Sequence, residues 1–84
     1  VERIVIRAYR QHQQYVRSLP IHSSQKELYA CDAYADFELR LRPTYDFIME
    51  LLHAGEMIKV IEPKSLRHTM KEWAKSLWEL YKKD

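Results

Sequence analysis

Residues 53–73 read HAGEMIKVIEPKSLRHTMKEW and hold Gly55, the only glycine of the 84-residue chain. Upstream, Tyr45 to Ala54 runs with helical periodicity and stops at Gly55, the residue type best suited to the left-handed turn that ends a helix. Met57 to Ile61 is short and β-prone, and Pro63, which cannot donate to a ladder, ends it. A second amphipathic run begins directly afterwards. Helix, short strand and helix in such quick succession describe a β-α-β crossover, whose strand returns to a sheet begun earlier in the chain.

The earlier chain supplies that sheet. Residues 1–9 alternate, with Ile4, Ile6 and Ala8 on one face and Arg3, Val5, Arg7 and Tyr9 on the other, the period of a strand with one buried face. Residues 11–19 carry Tyr15, Val16 and Leu19 at helical spacing, and Pro20 closes that segment. Residues 25–31 form a second strand, with Leu28 and Ala30 opposite Tyr29 and Cys31, and Asp32 to Asp36 make the turn. Residues 37–42 return as a third strand: Phe37, Leu39 and Leu41 face one way and Glu38, Arg40 and Arg42 the other. Thr44 caps a helix whose stripe is Phe47, Ile48, Leu51 and Leu52. Ser65 caps the last helix, with the stripe Leu66, Met70, Trp73, Leu77 and Leu80, while Trp78 lies off it. The order β-α-β-β-α-β-α predicts an α+β fold, a ferredoxin-like β-α-β-β-α-β sandwich with an additional C-terminal helix. Its strand order is 4-1-3-2, with residues 45–54 and part of 10–19 helical on one face and the helix 65–82 packed nearby.

Composition narrows the function. Residues 1–84 make a single domain, and a chain of this size buries only roughly 60–65% of its unfolded surface, so burial against a partner adds stability. A net charge of +2 is too small to demand nucleic acid. Cys31 stands alone, which excludes an intrachain disulfide and fits a reducing, cytoplasmic compartment. No run approaches the length of a membrane span. The chain enters a strand pattern at its first residue, Val1, as a piece of a longer protein would.

Catalytic chemistry is poorly supplied. His12, His22, His53 and His68 show no metal-ligand spacing, and zinc requires three or four converging ligands. The neighbours His22, Ser23 and Ser24 lack a glycine-rich turn that could build an oxyanion hole, and one glycine cannot make a phosphate loop. The reading is a non-enzyme with no metal and no cofactor.

Two basic arrays remain. Arg3, Arg7, Arg40 and Arg42 project from neighbouring strands on the helix-free face, which Val5, Tyr9, Tyr29, Met57 and Ile61 share. Three readings fit: a solvated face with arginines paired to Glu27 and Glu38, a contact with another domain, or a site for an anionic effector. Arginine takes phosphate bidentately and tyrosine stacks on bases. Lys64, His68, Lys71, Lys75 and Lys82 recur along the last helix between Glu72 and Glu79, the pattern of a solvated helix face.

PIHSSQ (20–25), LRLRPTYDFIMELLHAGEMIKVIEPKSLR (39–67) and Leu80-Tyr81 resemble the C-terminal extension of WYL-domain transcriptional regulators, the WCX domain. The similarity covers nearly the whole chain. It implies a bacterial regulator with a winged helix-turn-helix, a WYL domain and this module, DNA being bound through the N-terminal domain absent here. The WYL domain of the same chain is then a partner, and the full-length protein a homodimer. The resemblance also implies a sensing role, in some relatives toward single-stranded nucleic acid or a nucleotide, but assigns no ligand residues within the module. A free-standing ferredoxin-like RNA binder remains open, although Phe37 to Arg42 carries one aromatic instead of an RNP signature. A small-molecule regulatory module remains open as well.

Overall fold

A computed structural model describes residues 1–83. The elements are β1 (Glu2–Tyr9), α1 (His12–Ser18), β2 (Lys26–Ala30), β3 (Tyr34–Leu41), α2 (Tyr45–His53), β4 (Ile58–Glu62) and α3 (Lys64–Tyr81). A 3-10 turn, Gly55–Met57, joins α2 to β4. The strands form one antiparallel sheet in the order β2-β3-β1-β4, with β1 and β3 as central neighbours, as the sequence predicts.

One face of the sheet builds the core. Ile4, Ile6 and Ala8 of β1 meet Ala35, Phe37, Leu39 and Leu41 of β3, and Val60 of β4 joins them. Val16 of α1, Phe47 and Leu51 of α2 and Leu66 of α3 cover this layer. Among the described residues the single buried polar side chain, Gln13 of α1, donates through Nε2 to the Cys31 carbonyl at 2.9 Å and fastens the β2–β3 turn to the helix. Among the described residues no buried side-chain N or O atom lacks a partner.

The helix ends follow local chemistry. Thr44 Oγ1 accepts from the Phe47 backbone N–H at 3.3 Å, the expected cap of α2. Gly55 has φ +62°, the left-handed conformation that stops the helix and that a side chain would strain.

Several boundaries differ from expectation, four of them with a visible local cause. The turn is shorter than residues 32–36: Cys31 N–H donates to the Tyr34 carbonyl at 2.8 Å, so β3 begins at Tyr34 and Asp36 lies inside it. At its other end β3 stops at Leu41, leaving Arg42 beyond the ladder. Met57 belongs to the 3-10 turn, so β4 starts at Ile58. Ser65 does not cap α3; Pro63 holds that position without a side-chain bond, a first turn closing when Arg67 N–H donates to the Pro63 carbonyl. A larger difference concerns packing. Leu77 and Leu80, expected in the buried stripe of α3, are 55% and 73% exposed, because α2 stands off from the last turns of the helix and leaves a cleft there.

Candidate interaction surfaces

The β1–β3 register places Arg3 opposite Arg40, Val5 opposite Glu38 and Arg7 opposite Asp36 on the helix-free face. Directly opposed like charges repel, and Glu38 bridges them. Its carboxylate accepts from Arg3 Nε at 2.6 Å and from Arg40 Nε at 3.3 Å, while Arg3 also reaches Glu62 at 3.1 Å. Arg7 donates twice to Asp36, at 2.8 and 3.1 Å, and its guanidinium lies 3.9 Å over the Tyr34 ring. Tyr29 packs against Tyr34 in turn, with ring centroids 5.8 Å apart and the planes tilted by 45°. Val5 faces the same way yet is only 4% exposed, flanked by Arg3 and Arg7 along the strand and by Glu38 and Glu62 across it.

Three of the four expected arginines therefore share one face, each held by a carboxylate. Arg42 stands apart, past the end of β3 in a cleft with His22, Thr44 and Asp46, and has no ion pair among the described residues. The Arg3 hydrogen bond holds the Glu38 carboxyl below its ordinary range. Glu27 lies on the opposite face, where Arg17 of α1 donates to it at 2.6 Å and likewise lowers its carboxyl. Asp36, Glu62 and Tyr34 were missing from the sequence-based face. Asp36 and Tyr34 continue the even-numbered alternation of Glu38 and Arg40 backward, so the same period two contained the signal for both.

The PIHSSQ segment is a brace. Ser24 Oγ accepts the Arg40 backbone N–H at 2.8 Å and lies 2.8 Å from His22 Nδ1. Gln25 accepts from Ile21 N–H at 3.0 Å and donates to the Val16 carbonyl at 3.0 Å. The serine hydroxyl and the glutamine amide thus tie the α1–β2 loop to β3 and α1. Among the described residues no three His, Cys, Asp or Glu side chains are grouped to hold a metal, and no helix is long and apolar enough to cross a membrane.

A second surface lies on α3. Tyr45 of α2 meets Trp73 at 5.5 Å between centroids, but beyond that contact the two helices leave a cleft lined by Met49, Leu52, His53, Trp73, Leu77 and Leu80. The α3 face toward β4 and the 3-10 turn is open too, with Trp78 62% and Tyr81 63% exposed. Exposed apolar surface concentrated on one helix marks an interaction site more than it marks a solvated face.

No curated protein matches the chain. A model of the WCX domain matches residues 1–78, which span every strand and all but the end of α3. With that match and the fold it accompanies, the chain belongs to the WCX domain family.

Proposed function

We propose that this WCX domain is the non-catalytic sensing and dimerisation module of a WYL-domain helix-turn-helix regulator, and that it works through protein contacts made by α3. Its family supports a WYL-associated regulatory C-terminal domain. The observation that carries the contact is the exposed Leu77 and Leu80 on a helix whose first stripe residue, Leu66, is buried and whose next two, Met70 and Trp73, are half-buried. The occupant of the α2–α3 cleft is a second copy. Two chains of net charge +2 repel wherever their lysines meet, and this cleft has no lysine, arginine or carboxylate in its lining. A single-stranded nucleic acid or nucleotide effector engages the sheet face in competition with its carboxylates, its phosphates sharing Arg3, Arg7 and Arg40 with Glu38 and Asp36 and adding Arg42 at the margin. The tilted Tyr29–Tyr34 pair beside Arg7, two aromatic rings next to a cation, favours that ligand class.

Sedimentation equilibrium of the full-length protein tests the contact. Wild type is expected to be dimeric and Leu80→Glu monomeric, with Arg7→Ala remaining dimeric. A dimer of unchanged strength in Leu80→Glu overturns the assignment of α3.

A further inference from the structure

We infer that the cleft between α3 and the β4 side of the sheet receives an acidic amphipathic helix from another protein. This cleft lies across α3 from the one assigned above to a second copy and shares Leu52 and Leu77 with it, but the inference does not depend on that contact. Its interior is apolar, formed by Ile58, Val60, Met70, Leu77, Trp78 and Tyr81. Its volume of about 840 Å³ suits the three or four large side chains that one face of a short helix presents at i, i+3, i+4 and i+7.

The rim decides the partner's charge. Lys59 of β4 and Arg67 and Lys71, one turn apart on α3, border the opening, and Glu56 is the only acid there. Among the described residues none of these three cations has an acidic side chain within ion-pair distance, whereas Arg3, Arg7, Arg17 and Arg40 all do. Cations left unpaired around an apolar floor select an apolar ridge flanked by carboxylates. A second copy does not fit that description, since mating two such clefts sets Arg67 and Lys71 against their own counterparts. An anionic membrane fits less well than a helix: Val60 and Met70 are recessed between strand and helix, and a flat bilayer surface reaches convex ridges.

The test uses the full-length protein and a fluorescein-labelled 16-residue helical peptide with leucines along one face and glutamates elsewhere. Its comparison peptide has lysine for every glutamate. Anisotropy is expected to show saturable binding of the acidic peptide alone, weakened about tenfold by Arg67→Glu or Lys71→Glu and restored in part by the lysine peptide. Tyr81→Ala should weaken it as well. Leu80→Glu, which lines only the other cleft, should leave peptide affinity unchanged whatever it does to the dimer. Circular dichroism of each variant separates loss of binding from loss of fold. Absence of binding, or equal binding of both peptides by wild type, overturns the inference. Dissociation of the dimer by the peptide assigns the cleft to a second copy, and binding to phosphatidylserine vesicles without peptide binding assigns it to a membrane; either result also overturns it.

Discussion

Glu38 is the residue whose removal reports most directly on the sheet face. It holds Arg3 at 2.6 Å and Arg40 at 3.3 Å, so Glu38→Gln keeps an acceptor of similar shape but deletes the charge between two guanidinium groups. If phosphates of a single-stranded effector meet these arginines, the variant offers two cations no longer shared with that carboxylate. Each added phosphate contact steepens the dependence of log K on log salt by about 0.7 for a single strand, so two steepen it by about 1.4. Raising salt from 50 to 200 mM would then cost the variant about sevenfold more affinity than wild type, with tighter binding at the lower salt. Anisotropy of a labelled ten-nucleotide single strand on the full-length protein measures this, beside Arg7→Ala, Arg40→Ala and Arg42→Ala, each expected to bind more weakly. An unchanged slope in Glu38→Gln, together with unchanged affinity in the arginine variants, would remove the sheet face from effector binding. The arginine–carboxylate lattice would then be a solvated surface that roofs Val5.

Further outcomes follow from the same geometry. Phe37→Ala empties the largest fully buried side chain of the core and should cost about 3–5 kcal/mol in urea unfolding; a loss near 1 kcal/mol would mean the layer collapses easily around it. Thr44→Ala removes the α2 cap and should cost about 1 kcal/mol, with Thr44→Ser restoring most of it; equal losses in both variants would contradict the capping role. Glu38 and Glu27 titrate below their ordinary value of 4.5 in the folded state, so their contribution is present above that pH and is lost as pH falls through the lower folded values. The urea midpoint should drop on acidification below about pH 4.5, and less so in a Glu27→Gln, Glu38→Gln double variant. Parallel curves for the two proteins would refute the linkage.

Much of this architecture is readable from alternation and punctuation. Ile4, Ile6 and Ala8 against Phe37, Leu39 and Leu41 identify the buried face because a strand's side chains alternate, and Gly55 and Thr44 bound α2 for reasons local to those residues. The turn after β2 misleads because Asp36 has low strand propensity in isolation, whereas across the sheet it gains two hydrogen bonds from Arg7. The arginine face is visible in the sequence, but its charge balance is not, since the pairing of Arg3 with both Glu38 and Glu62 depends on register across three strands. Leu77 and Leu80 show the opposite limit. Their spacing places them correctly on the apolar side of α3, yet periodicity records which side of a helix is apolar and says nothing of what covers it.

The central claim is that the end of α3 is contact surface. Hydrogen–deuterium exchange of residues 74–81 in the full-length protein, at concentrations above and below its dimer dissociation constant, tests that claim most directly. Free of a partner, these turns have little packing and should exchange quickly; in the dimer their exchange should slow by about tenfold or more, while that of β1 and β3 stays constant. Fast exchange of residues 74–81 at both concentrations would contradict the account.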